Sequence, residues 1–518
     1  MTDFEFTCIN WQGSTLNVIK VQGKEAISQP YRFDIILSCP EPIDPDIFLG
    51  QVGQFSMRNG IDEPQTYHGI ISENQLLAKT HDQYRIQVTL VPRLWALGLG
   101  TQSQIFLDRN IPEIITHVLT DLESNGLPLA IDISLTKEYP QHEYVCQFNE
   151  SALNFISRLM EKTGIYYFFD QKNGTDCLCI RDLSLLHESK NDAELTYASI
   201  SGLDSIEDEL GEPNDKPQLI HTFTEHLQHR TVDVHLRAFD EQKPDVQSDV
   251  IHPVADKGFG KTYVYSTQFK RSEDASHLAE ICARQLACQL KQYAGKSRAT
   301  WVEPGYTFAL KEHFLGRLNQ SYLVTEVHHS AEQSTFLTHG ISKNENVDTI
   351  HYTNWFTCIP ASVHYYSQPN TPIPKITGVL SAVIDGIGNG DSALLDEQGR
   401  YKVIMPFDLA SDAKGDGKAS HWIRLAQPYG GNAQGFHFPL LKGTEVLLTF
   451  EEGNPDLPVI QSTIPNAKNQ NIVNDQTPYR NTLKTVSGAE IVMDDTPGNQ
   501  HICLRIGGVS IEMGDIDI

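Results

Sequence analysis

Near its end the chain reads VSIEM, with Val509, Ile511 and Met513 at one parity and Ser510 and Glu512 at the other. Such alternation marks a strand with one face buried. The same period governs AEIVMDD, where Ala489, Ile491 and Met493 share a face, and HICLRI, where Ile502, Leu504 and Ile506 do. Ile516 and Ile518 continue the pattern beyond Gly514-Asp515. Upstream, LNVIKVQG, YRFDIILS, QTYHGIIS and YRIQVTLVP predict strands through the first 100 residues, with Gly, Pro and Asp between them. The period turns helical in NIPEIITHVLTDLE at 110–123, where Asn110 can cap and Pro112 suits the first turn. It does so again in NESALNFISRLMEKTG. Leu153, Ile156, Leu159 and Met160 form its stripe, Ser151 can cap its start and Gly164 suits its end. A third helix is expected over about 272–290, SEDASHLAEICARQLACQL, with Glu273 and Asp274 favourably placed against its dipole. Strands resume with RATWVEPGYTFAL and QSYLVTEVHHS.

At 367–376 the run SQPNTPIPKI carries three prolines and predicts a linker. Beyond it TGVLSAVI, GRYKVIMPF, HWIRLAQP, TEVLLTFEEG and DLPVIQS are five strands joined by turns, which fits a small Greek-key barrel of the OB type. The chain therefore reads as mainly β with a few helices, in three parts: 1–370, 371–465 and a strand-rich tail, 466–518. A small ribbon cannot stay folded in water without a surface to cover its apolar face. The tail could pack back on its own barrel, or identical copies could wrap about a common axis. Short turns at TPGN, IGG and GD favour the second solution and a compact β-helix, built as an intertwined prism. Its interior would be Ile491, Met493, Ile502, Leu504, Ile506, Val509, Ile511, Met513, Ile516 and Ile518. Alternation alone does not fix the number of copies.

Composition narrows the partners. The 518 residues are 40% hydrophobic and 20% charged, a folding composition, and carry a formal net charge of -26. That charge argues against nucleic acid, whose binding needs clustered Lys and Arg. The nine cysteines are scattered, with no C-x-x-C pair and no zinc spacing, and read as free thiols in a reducing cytosol. MTDFEFTCINWQG shows no basic and apolar leader, and no stretch approaches 18 consecutive apolar residues. Export is then expected by a route other than a signal peptide.

Candidate chemistry is sparse. His221, His226, His229 and His235 match no metal motif, and His328-His329 should face opposite sides of a strand. GIGNG at 386–390 and GDGK at 415–418 lack the helix that a phosphate loop requires. Asp494-Asp495 precedes a turn and reads as solvated. The 16 residues PNAKNQNIVNDQTPYR between barrel and ribbon cannot hold the two-carboxylate scaffold of a glycosidase. No catalytic residue, metal or cofactor is expected.

Two stretches carry a family resemblance. EYVCQFNESALNFISRLMEKTGIYYFFD resembles the VgrG family, the spikes of bacterial type VI secretion. So does WIRLAQPYGGNAQGFHFPLLKGTEVLLTFEEGNPDLPVIQSTIPN, whose motif residues are Trp422, Gly443, Glu445, Val446, Phe450, Gly453, Pro455, Asp456 and Pro458. Within it, Gly453-Asn454 supplies a turn, Pro455 and Pro458 stiffen the next strand, and Trp422, Phe436, Phe438 and Phe450 are expected in the barrel core or between chains. The resemblance implies a homotrimer. Residues 1–370 would form a phage-tail-hub-like region of two β-barrel domains with helical inserts, 371–465 an OB-fold spike base and 466–518 the start of a trimeric β-helix needle. The hub end would dock on a hexameric tube protein among baseplate proteins. The other end would meet a PAAR-type tip protein with effectors and, briefly, a target membrane. Assembly would take place in the bacterial cytoplasm, followed by delivery through the apparatus. Family needles are longer than this one, which implies a shortened chain or a short needle relying on a separate tip. The rivals are a hub-spike protein of a phage tail or extracellular contractile particle, and an envelope-degrading hydrolase.

Overall fold

The computed structural model describes residues 3–58, 64–80, 83–124, 126–172, 174–198, 219–239, 248–266, 272–333, 350–388, 393–409 and 415–514. The chain forms two compact units, Met1–Glu143 with Gln147–Pro374, and Tyr144–Cys146 with Lys375–Ile518. It is mainly β with few helices, as the sequence pattern predicts.

In the first unit, β1 (Asp3–Cys8), β2 (Asn17–Ala26), β3 (Gln29–Cys39), β4 (Val52–Arg58), β5 (Gln65–Thr80) and β6 (Gln83–Val91) pair in the order β1-β4-β5-β6-β3-β2. β1 then pairs back on β2 and closes a barrel. Alternate residues point inward, so Phe33, Ile35, Leu37, Phe55, Met57, Val88 and Leu90 fill its core. A second ring runs through Ser321–Gln333, Thr307–Lys311, Ser189–Tyr197, Leu219–Leu227, Lys291–Ser297 and Ile350–Pro360, and closes where the last pairs with the first. Leu195, Ile220, Phe308, Tyr322, Val327 and Phe356 fill it. The barrels join where β2 lies antiparallel to Ser321–Gln333, from Ala26 opposite Glu326 to Lys20 opposite Glu332.

A buried polar network lies at this seam. His329 Nε2 is 2.8 Å from Glu25 Oε1, its Nδ1 is 2.8 Å from the Tyr352 hydroxyl, and the Tyr67 hydroxyl donates to Glu25 at 2.8 Å. His328, the next residue, is exposed and meets Glu326 at 2.6 Å, so the two histidines do face opposite ways. Glu303 is buried beside Lys190. Burial pushes its carboxyl up to about 7, and the Lys190 ammonium opposes the shift. An acid whose pKa is raised by folding costs stability as it ionises. That cost is absent below the ordinary value of 4.5 and grows as pH rises from there to about 7. Urea unfolding at pH 5, 6, 7 and 8 is therefore expected to show declining stability that Glu303→Gln flattens. An unchanged slope in the variant would exclude Glu303 as its source.

Among the described residues three α-helices complete this unit. α1 (Ile111–Ser124) opens on a reciprocal cap: the Glu113 amide donates to Asn110 Oδ1 and the Asn110 amide to Glu113 Oε2, both at 2.9 Å. α2 (Ala152–Thr163) starts with Ser151 Oγ accepting the Asn154 amide at 3.2 Å and ends at Gly164, whose φ of 76° is the left-handed cap. Its buried surface is wider than the predicted stripe, because Phe155, Arg158 and Glu161 are buried too. Arg158 holds Glu150 through Nε at 3.0 Å and Nη2 at 2.7 Å. α3 (Ser272–Ala287) ends three residues short of the expected 290 and packs on the sheet formed by Asp233–Ala238, Ser248–Pro253 and Lys261–Ser266.

In the second unit Leu380–Ile384 pairs with Val403–Ile404 and with Glu445–Phe450, which pairs with Pro458–Thr463. The expected strand HWIRLAQP is an extended segment joined by bridges, Ile423 to Tyr401 and Leu425 to Ile460, and these close the ring. Val446, Leu448 and Phe450 point inward and are buried. Gly443 and Gly453 hold positive φ at the two ends of that strand, and the Ile376 amide donates to the Gly453 carbonyl at 2.8 Å. Asn454 Oδ1 accepts the Asp456 amide at 3.1 Å, which shapes the turn before Pro458. Pro455 and Pro458 are buried, and Pro458 lies opposite Phe450. Glu445 accepts from Asn466 at 2.7 Å. Trp422 is half-buried with the Lys402 ammonium 5.0 Å above its ring, so Ile423 and not Trp422 supplies the core here.

Candidate assembly surface

The strands Arg480–Lys484, Glu490–Asp494, His501–Ile506 and Val509–Gly514 form one antiparallel meander. The register sorts their side chains into two faces. Leu483, Ile491, Leu504 and Ile511 lie in one cross-strand row, Asn481, Met493, Ile502 and Met513 in the next, and Ile506 faces Val509 across the Gly507-Gly508 turn. The side chains of the predicted alternation thus fall on one side, while Thr482, Val492, Cys503 and Glu512 form the middle row of the other.

That side is open. Leu483, Ile491, Met493, Ile502, Leu504, Ile506, Val509, Ile511 and Met513 are between 38% and 67% exposed. Nine large apolar side chains exposed together on one face are a contiguous patch of the kind that marks an interaction surface. Six of them, Leu483, Ile491, Leu504, Ile506, Val509 and Ile511, border with Phe438 an almost wholly apolar groove of about 400 Å³.

The opposite side is polar. Arg480 meets Asp494 at 3.1 Å, Lys484 meets Glu490 at 3.5 Å, Arg505 meets Glu490 at 2.8 Å and His501 meets Glu512 at 3.9 Å. The Thr496 hydroxyl and amide, then Arg480, hold the Asp494 carboxyl down to about 2. Asp494 is thus a capped, paired turn residue, whereas Asp495 receives the Asn481 amide group at 2.9 Å.

Of the ten residues expected inside a needle, eight lie together on the apolar side, and Ile516 and Ile518 fall outside the described residues. Leu483 belongs to the same face and was missed, because R-N-T-L-K holds a single apolar residue and shows no alternation. Phe436 and Phe438 are about half exposed and are not barrel core, because the loop that carries them lies outside the ring. Three of the four histidines of 221–235 make separate contacts: His235 with Asp249, His226 with Gln228 and His229 with Phe259. Among the described residues no group of three His, Cys, Asp or Glu could hold a metal ion. All nine cysteines are free, seven of them buried. Among the described residues no helix is long and apolar enough to cross a membrane.

Two fused barrels, an OB-type ring and an uncovered apolar sheet are the architecture of a tail hub joined to a spike base. The chain belongs to the phage tail baseplate hub (GPD) family, whose model matches residues 24–335, and the type VI secretion/phage-baseplate injector OB domain matches residues 392–464. The expected kinship with VgrG spike proteins is borne out. The type VI secretion system spike protein VgrG1b of Pseudomonas aeruginosa is 27% identical over 88% of this chain and 59% of its own length, and VgrG5 of that species is 28% identical over 88% and 56%. The actin cross-linking toxin VgrG1 of Vibrio cholerae is 26% identical over 85% of this chain and 39% of its own length. The chain thus spans between 56% and 60% of the length of the three Pseudomonas relatives it matches first. An Escherichia coli type VI secretion component, described as similar to the T4 tail proteins gp27 and gp5, shares the fold with a TM-score of 0.63 at 22% identity, over 89% of this chain and 100% of that one. A chain of the lidded Francisella PdpA-VgrG complex gives 0.64 at 13% identity, over 99% of this chain and 78% of its own length.

Proposed function

We propose that three copies of this chain form the spike of a contractile type VI secretion apparatus. The observation that carries the reading is the apolar side of the terminal meander, nine large side chains left exposed among the described residues. Each copy would supply one wall of a three-sided prism, its apolar rows turned to the axis and its ion pairs to solvent. A shaft whose strands are shared among chains resists load because no chain can peel away alone. The barrel end would dock on a hexameric tube protein among baseplate proteins. The prism would lead through the target envelope, carrying a PAAR-type tip protein and effectors and touching the target membrane in passing. Assembly in the bacterial cytoplasm would precede delivery through the apparatus. The role is mechanical, without a catalytic residue, cofactor, metal or nucleic acid. A second reading, the hub-spike of a phage tail or extracellular contractile particle, is favoured by the hub model itself, since the same fold serves there.

Light scattering of the purified chain at micromolar concentration is expected to give three times the chain mass. A monomer with the terminal meander intact would overturn the reading.

A further inference from the structure

We infer that the aromatic hairpin of the OB barrel is a knob between subunits: its Phe436 enters the groove that Phe438 and the terminal sheet form in a neighbouring copy. This rests on the trimer reading above and names the residues of one joint in it.

The hairpin pairs Gly430–Gly431 with Gln434–Gly435, two residues a side, too short to hold a core of its own. What it presents is three rings. Tyr429 and Phe436 meet edge to face at 6.5 Å, and Phe436 stacks on Phe438 at 6.4 Å. All three are 49–52% exposed. The Phe436 amide donates to the Tyr429 carbonyl at 2.9 Å, and at Gly435 a Cβ would lie 2.6 Å from that same carbonyl oxygen. Glycine lets the backbone close up there and turns the rings outward. The hairpin is therefore shaped to display aromatic surface.

Of the three rings only Phe438 lines the groove. A small-molecule site sets a few placed polar groups among apolar walls. This groove of about 400 Å³ is almost wholly apolar, which suits side chains, and it has room for an aromatic ring. Its walls are the same rows that a trimer buries, so the groove continues that interface. One chain offers both an uncovered ring and an unfilled groove. In a closed cyclic assembly each copy gives one knob and receives one, and no knob or groove is left over. A second copy is thus the occupant that uses both features at once.

Disulfide trapping tests this. Phe436→Cys combined with Val509→Cys, oxidised and run without reductant, is expected to give species at two and three times the chain mass that neither single variant gives. A bond formed within one chain, or none, in a preparation that light scattering shows to be trimeric would overturn the hairpin joint and leave the trimer standing. A monomer by light scattering would overturn both. Separately, Phe436→Ala is expected to raise the concentration at which the trimer dissociates by about 10- to 100-fold, and Phe436→Leu by less. An unchanged midpoint for Phe436→Ala would overturn the joint.

Discussion

Leu504→Asp is expected to leave the protein as single chains at micromolar concentration, by light scattering or sedimentation. Leu504 sits mid-row between Ile491 and Ile511, where the proposed prism would bring three copies of it close to the axis. An ionised carboxylate there would lose water without gaining a partner and would face two like charges. A cost of at least about 4 kcal/mol corresponds to a thousandfold or greater loss of assembly. Ser510→Asp is the control. It lies on the polar side opposite Arg505, and the trimer mass should be unchanged. Trimers that persist with Leu504→Asp would place that row outside the interface.

Arg158→Ala is expected to lower the unfolding free energy of the first unit by about 3–5 kcal/mol in urea titration. Arg158 and Glu150 are both at least nine-tenths buried, and the guanidinium packs 5.1 Å from the Phe155 ring. Truncation removes the fork that neutralises Glu150 and the packing with it. Replacing both, Glu150→Leu with Arg158→Met, should recover most of the loss, because neither charge is then stranded. A single variant within about 1 kcal/mol of the parent would show that the pair is not what anchors α2.

These two residues also show what the sequence made legible. The caps of α1 and α2 are local chemistry, a side chain and an amide three residues apart, and Asn110, Ser151 and Gly164 announce them. The apolar side of the terminal meander was equally readable, since a period of two needs no knowledge of partners. The width of burial on α2 was not. Arg158 and Glu161 lie outside the predicted stripe; Glu150 meets the first and Thr371, distant in the chain, the second. The seam between the barrels joins β2 to a strand some 300 residues later, and no local pattern encodes such a pairing. Trp422 and Phe436 were expected in the barrel core or between chains; neither is core, because one strand is only bridged and the hairpin before Phe436 leaves its rings exposed.

The terminal meander also has two rims whose backbone groups meet no other strand within the described chain. One rim strand carries Arg480 and Lys484, whereas the other carries Glu512. Two copies meeting rim to matching rim would set like charge against like, which disfavours two-fold pairing of the rims. Going round in one sense instead lays the basic rim of each copy beside the acidic rim of the next. The rim charges thereby favour head-to-tail contacts over face-to-face dimers.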